Sequence, residues 1–387
     1  MGLFSLNLKM SQKIAQAVRD SGGRVFYVGG YVRDKILGRQ SKDIDIEIHG
    51  VTTEALCEIL SGLGEVLEMG ASFGILGLRH YSLDIVLPRS IETGEIDPFI
   101  GPKEAARRRD FTINALMMDV LTGEVLDFFG GLYDIEHGLI RHVDDYTFLF
   151  DKLRVLRAAR FSALLGFDVD NETRLLCSSA DISDLAVERV FGEVENVLTK
   201  SIEPSRFFTE LERMKQISFW FPEIRNVNTD ILDKAVNFRQ KSLFQTGFMF
   251  ASLCHGLAES ETARFVSRLT NDKRLNEYAV NISSLASKEI TIEILDASIC
   301  PDDLALLSEL VTGRSNSEIL ALYHSRMSRP YVTGADILRE GVKPGPIVGK
   351  ALRLVHELRL SGASKDVQLR EAMRYIRYIR GGKEKYD

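Results

Sequence analysis

Hydrophobic and polar residues alternate with a period of two at the start of the chain's most regular stretch. Ile44, Ile46 and Ile48 occupy one phase, and Asp43, Asp45 and Glu47 the other. Residues two apart point the same way on a strand, so the pattern predicts a strand with one apolar face and one face carrying three carboxylates. Just upstream, Arg24–Val28 is a short β-branched and aromatic run ending at Gly29-Gly30, which reads as strand, glycine turn and short helix. Leu83–Leu87 predicts a further strand that brings Asp84 beside the first carboxylates, and Val125–Gly131 another that ends at a turn. From about Tyr146 the period changes to helical: Leu153, Leu156, Ala159 and Phe161 share a face, and helix follows helix to the end. The coarse expectation is α+β, a mixed α/β head followed by an all-helical remainder, with the strand order left open.

Length and composition bound this picture without deciding it. A chain of 387 residues with 45% hydrophobic content can hold two or more domains with real cores. No run of 18 apolar residues and no signal-peptide pattern is present, which predicts a soluble, cytoplasmic protein with no membrane partner. Cys57, Cys177, Cys254 and Cys300 are widely spaced and form no CxxC pair, against zinc and against a disulfide scaffold. The net charge of −6 gives no global sign of nucleic acid, so any polyanion site must come from local basic clusters.

Such clusters exist. Asp43, Asp45 and Glu47 side by side repel one another and stay ionised only with positive charge over them. Mg²⁺ suits this place, because it takes one or two carboxylates plus phosphate oxygens, and the glycine turn with Arg33 offers donors for those phosphates. The alternative is a solvated edge strand. Arg107, Arg108 and Arg109 precede Asp110 and a possible helix start; they are either a solvated face or neutralisers of triphosphate charge. Arg154, Arg157 and Arg160 recur every three residues after Asp151, as an outward stripe or a functional one. Glu188 and Glu193 on a later helix are read as partners that aim this stripe.

Taken in order, these segments resemble the class II, bacterial-type tRNA nucleotidyltransferases and the related poly(A)-adding enzymes. GGYVRD with DIDIE is similar to the family's metal and phosphate motif, and RRDFTINAL to the one after it. DFFGGLYDI resembles the hinge motif, DKLRVLRAARF the base-selecting motif and ERVFGE the helix behind it. Val332–Pro346 is similar to a tail signature.

The resemblance implies a polymerase-β-like nucleotidyltransferase head with a mixed sheet over 1–145, then a helical neck over 146–200 for base selection. A helical body over 201–290 and a tRNA-binding tail over 291–387 complete the expectation. It implies transfer of nucleotides from CTP, and in one reading ATP, to the 3′ end of tRNA without a nucleic-acid template. Asp43 and Asp45 would hold Mg²⁺, Asp84 would be the third catalytic carboxylate, and Gly29, Gly30, Arg33 and Arg108 would hold the triphosphate. Asp151 and Arg154 would read the base, supported by Arg157 and Arg160. Arg374, Arg377 and Arg380 are candidates for tRNA phosphates, against a solvated amphipathic helix.

Two departures from the family pattern matter. Phe150 stands where relatives usually carry Glu. The segment Ser90–Gly101 is short and acidic where enzymes that complete the CCA end carry a long basic loop. The resemblance therefore implies an enzyme that stops after CC and leaves the terminal A to a separate A-adding enzyme. A complete CCA-adding enzyme is the main alternative. A poly(A) polymerase is disfavoured because the chain closes soon after Arg380, and a non-catalytic RNA-binding protein because Asp43 and Asp45 are both present. A fused phosphohydrolase activity is rejected, since Leu253-Cys254-His255-Gly256 lacks the required His-Asp pair.

Overall fold

The computed structural model describes residues 3–41, 43–69 and 75–383, which form two compact units, 1–225 and 226–387. The first unit is built on a seven-stranded mixed sheet. Its strands are β1 (Arg24–Val28), β2 (Ile44–His49), β3 (Val66–Met69), β4 (Ile75–Leu78), β5 (Leu83–Val86), β6 (Met117–Asp119) and β7 (Val125–Leu126). They lie in the order β3-β4-β5-β2-β1-β6-β7, with β2 and β5 parallel and the other pairs antiparallel.

The alternation in β2 does what it predicts. Ile44, Ile46 and Ile48 are fully buried against Val25 and Tyr27 of β1, Leu83 and Ile85 of β5, and the helices α1 (Leu3–Asp20) and α3 (Thr53–Leu63). The opposite face holds a smaller core of Phe26, Val28, Ala106, Ala115 and Met117. Between β1 and β2 the chain turns through Gly29 into the short helix α2 (Gly30–Ile36). Helix α4 (Pro102–Arg107) precedes the arginine cluster. The helix expected to start after that cluster does not form: Thr112–Asn114 is a single 3-10 turn and the chain passes directly into β6. Pairing with β1 outweighs the helical preference of Ala115-Leu116-Met117-Met118.

The segment after β7 closes on itself. Asp127 accepts hydrogen bonds from the backbone N–H groups of Phe129, Gly131 and Leu132, starting α5 (Gly131–Glu136). Gly131 is required there, because a Cβ would lie 2.3 Å from the Thr112 carbonyl oxygen. Helices α6 (Asp145–Phe148), α7 (Leu153–Leu165), α8 (Asn171–Ser179), α9 (Val187–Lys200) and α10 (Ser205–Arg213) follow.

The second unit is helical throughout its described residues. Near its end, Thr333 and Asp336 cap the helix Gly334–Arg339 reciprocally, and Lys365 pairs with Asp336 at 3.0 Å. Val332, Ile337, Ala351, Val355, Ala372 and Ile376 pack together beneath, leaving Arg374, Arg377 and Arg380 on the outer side of the helix Lys365–Lys383.

Candidate active site

A cavity of about 640 Å³ lies within the first unit, lined by the glycine turn, the β2 carboxylates, the RRDFT segment and α7. Gly29 adopts a left-handed φ of 66°. A Cβ at Gly29 would lie at ordinary contact distance, 3.5 Å from an Asp45 carboxylate oxygen and 3.6 Å from the Arg109 guanidinium, so the positive φ rather than lack of space calls for glycine here.

The row of acids on β2 divides. Glu47 is buried and neutralised: Arg109 donates to it at 2.9 Å and the His49 ring lies 3.0 Å away. Burial alone would raise its pKa, but these two partners hold it below the usual glutamate range. The second nitrogen of His49 faces the Ile100 carbonyl at 3.1 Å. Asp45 has no such relief. It stands opposite Asp84 in the β2–β5 register, and its pKa is pushed up to about 6 by burial and by Asp84 and Asp43, with Arg109 opposing. Asp43 and Asp45 line the cavity; Asp84 is exposed beside them and is not among its lining residues. Among the described residues no three His, Cys, Asp or Glu side chains converge closely enough to hold a metal ion unaided.

The three consecutive arginines part company. Arg107 points outward to Asp144 at 2.8 Å, and Arg109 goes to Glu47 on the cavity floor. Arg108, expected on the triphosphate, lines a neighbouring cavity instead and donates to the Ser90 carbonyl at 3.0 Å. Arg33 reaches the main cavity, fixed by Asp34 at 2.7 Å and Asn114 at 2.7 Å.

The stripe on α7 faces inward. Arg157 pairs with the buried Asp110 at 2.5 Å, and Arg160 with Glu193 of α9 at 2.5 Å. Burial pulls the Arg157 pKa down, but Asp110 outweighs it and leaves it raised. The Phe161 ring lies beneath the guanidinium groups of Arg33, Arg157 and Arg160, at 5.2, 5.4 and 4.4 Å from its centroid. Asp151 and Arg154 both line the cavity but do not bond each other. Arg189 of α9 donates to Asp151 at 2.9 Å, while Arg154 donates to the carbonyls of Thr147, at 2.9 Å, and Arg108.

Residues 25–141 match the family model of the poly A polymerase head domain. A CCA-adding enzyme of Leuconostoc mesenteroides is 28% identical over 382 residues, covering 89% of this chain and 90% of its own. Together these matches support the class II tRNA nucleotidyltransferase and poly(A) polymerase family for this chain. It is an enzyme of the nucleotidyltransferase class. A multifunctional CCA protein of Pasteurella multocida is 32% identical over 276 residues, 62% of this chain and 64% of its own. In fold, the chain resembles the Bacillus stearothermophilus CCA-adding enzyme crystallised with CTP, with a TM-score of 0.77, 22% identity and 100% coverage of both chains.

Within this nucleotidyltransferase, the cavity also gathers Asp110, Asn114, Phe161 and Arg189, which sequence reasoning did not select, and Arg109, which it named only as one of three clustered arginines. Arg109 lay one position from the arginine chosen, and only the turn after α4 decides which of the two faces the cavity. Arg189 had no sequence signal beyond its place in the ERVFGE segment.

Proposed function

We propose that this chain adds cytidine residues to the 3′ end of tRNA from CTP, without a nucleic-acid template, and stops after CC. One observation carries the nucleotidyltransfer reading: two carboxylates, Asp43 and Asp45, share a single cavity with Arg33, Arg109, Arg154, Arg157 and Arg160. Acids at one end and guanidinium groups along the wall suit a metal-bound triphosphate.

In the reaction, the tRNA 3′-hydroxyl attacks the α-phosphate of CTP and pyrophosphate leaves. Asp43 and Asp45 would hold Mg²⁺, which when bound neutralises charge at the phosphate being transferred. The residues fit that ion. Asp45 keeps more negative charge nearby than Arg109 offsets, and two carboxylates suit an ion that takes its remaining ligands from phosphate oxygens and water. Asp84 would add negative charge from across the register. Gly29, Gly30, Arg33 and Arg109 would hold the triphosphate, with Arg157 and Arg160 behind them. The head, neck, body and tail division goes with this reading, with the arginines of the helix Lys365–Lys383 gripping tRNA phosphates.

Base choice follows from Asp151 and Arg154. A carboxylate only accepts and a guanidinium only donates. Cytosine and adenine both present an amino donor beside a ring acceptor; uracil and guanine reverse the order and would leave buried groups unpaired. The pair admits C and A and excludes U and G.

The stop after CC is supported by the segment between β5 and α4. Arg89 and Ile96 form an antiparallel bridge, and Ser90 N–H donates to the Glu95 carbonyl at 2.9 Å. Arg89 also donates to the Gly94 carbonyl at 3.1 Å. Together with the Arg108–Ser90 bond, these tie down a segment too short to refit the pocket from C to A. The second reading is complete CCA addition, favoured by relatives named CCA-adding enzymes along nearly their whole length. Incubating the protein with a tRNA lacking its CCA end, Mg²⁺ and either CTP or CTP plus ATP, then sizing the product, tests both. Products that end at CC in either mixture support the stop; a third nucleotide with ATP overturns it. No incorporation at all overturns nucleotidyltransfer to tRNA.

A further inference from the structure

A second cavity, of about 300 Å³, shares the Asp151–Arg154 wall with the first and is otherwise lined by Ile91, Arg108, Thr147 and Phe150. Its apolar side is unusual for a surface position. Phe150 is 61% exposed and meets Tyr146, itself 70% exposed, edge to face at 4.9 Å between centroids. Two large aromatic rings held in fixed geometry but left open to water gain nothing for the core.

Beyond the shared Asp151–Arg154 wall, its polar side is Arg108, which has no ion-pair partner among the described residues. Arg108 is half-buried, and its one side-chain hydrogen bond among the described residues is to the neutral Ser90 carbonyl. No carboxylate among the described residues lies within ion-pair distance of it. Burial and the nearby Arg89 lower its pKa, with Glu47 only partly opposing them, so the guanidinium sits where added negative charge would be favourable. An exposed ring beside an unneutralised guanidinium, one wall away from the nucleotide cavity, matches a single nucleotide: base on the ring, phosphate on the arginine.

We infer that this second cavity is the subsite for the terminal nucleotide of the RNA acceptor strand, with Phe150 stacking on its base and Arg108 binding its phosphate. The inference rests on the nucleotidyltransfer reading and deepens it. Stacking on a ring is indifferent to base identity, which a growing end requires because its last residue changes with each addition. Phe150 is then a positioning residue. It holds the acceptor end, while Asp151 and Arg154 on the shared wall read the incoming base.

The test uses the full-length protein and a tRNA without its CCA end, with 2-aminopurine as the terminal base. Phe150→Ala should raise the acceptor KM about 5- to 100-fold, as expected for the loss of one base stack. The 2-aminopurine quenching on binding should disappear, with the KM for CTP unchanged. Phe150→Trp should restore both readouts, and Arg108→Ala should flatten the salt dependence of acceptor binding by about one phosphate's worth. An acceptor KM within about twofold of the parent in Phe150→Ala, or Phe150→Trp no better than Phe150→Ala, overturns the subsite. A rise in the CTP KM alone would assign the cavity to the incoming nucleotide and equally overturn it. Parent protein that incorporates no CTP refutes the underlying reading instead, and the quenching readout still reports on the subsite without turnover.

Discussion

Asp45 and Asp84 face each other across adjacent parallel strands, in the same register position and on the same side of the sheet. The pair is costly in the absence of a cation, because burial and mutual repulsion push the Asp45 pKa up to about 6. An acid whose folded pKa is raised stabilises the fold most below its unfolded pKa and loses that contribution as pH rises through the folded value. Metal-free protein should therefore carry an electrostatic penalty at about pH 7–8, at most about 3 kcal/mol. Asp45→Asn should remove it, raising Tm in the presence of chelator at about pH 8 and matching the parent near pH 4. Equal Tm values at the higher pH would show that the acids are not in conflict.

Loss of the same carboxylate should end activity. Asp43→Ala or Asp45→Ala should abolish CTP incorporation while tRNA binding survives, since in the proposed reaction the carboxylates would act at the reacting phosphate and not on the body of the tRNA. Turnover within about tenfold of the parent would sink this assignment. At limiting Mg²⁺, incorporation by the parent should also fall as pH drops through about 6, where protons compete with the ion for Asp45, and added Mg²⁺ should shift that fall to lower pH.

Arg189 and Asp151 lead to a prediction about fidelity. In the proposed base selection Asp151 would repel uracil O4, so in Asp151→Ala the ratio of CTP to UTP incorporation should fall rather than the overall rate alone. Arg189 donates to both oxygens of that carboxylate, at 3.1 and 2.9 Å. Arg189→Ala should lower the ratio too, but by less, because the acceptor remains and only its aim is disturbed. An unchanged ratio in Asp151→Ala would mean that the base is read elsewhere.

Patterns that act within one element were legible along the chain. The β2 alternation placed three isoleucines in the core without error, because a period of two has one meaning when one face is buried. The α7 stripe was visible as spacing, but its inward direction was not. That direction depends on Asp110, 47 residues before Arg157, and on Glu193 of a later helix, and spacing along one helix says nothing about either.

Other features depend on pairings that no local pattern carries. That Glu47 is consumed by Arg109 and His49 requires the turn after α4 to rotate one arginine inward and the next away. Strand β6 was hidden because Ala115–Met118 are good helix formers, and only its pairing with β1 makes it a strand. Helix α1 was legible in principle, since Met10, Ile14 and Val18 recur at helical spacing and are all buried.

The arginines of the helix Lys365–Lys383 predict a local basic grip on tRNA despite the acidic total. Arg374, Arg377 and Arg380 lie on the outer side while Ala372 and Ile376 pack inward. The triple alanine variant should bind tRNA more weakly and with a shallower dependence on salt, by about 0.9 in slope for each phosphate no longer neutralised. An unchanged slope would put the tRNA grip on another surface.

The pinned turn at Ser90 yields the sharpest prediction about the product. Adenine and cytosine present the same hydrogen-bond order to Asp151 and Arg154, so those residues alone cannot impose a stop after CC. Something must reshape the pocket after the second C, and the larger purine needs that adjustment most. The bonds from Arg89 to Gly94 and from Arg108 to Ser90 hold the segment that would have to do so. ATP should accordingly be a poor substrate even on tRNA that already ends in CC. Grafting a longer, basic and glycine-rich loop from a CCA-adding relative between Pro88 and Pro102 should restore terminal A addition and leave C addition near its parent rate. The measurement is single-turnover conversion of tRNA-CC to tRNA-CCA. If the unmodified protein makes that conversion as fast as it adds C, the short segment is a harmless variant and the enzyme completes the CCA end.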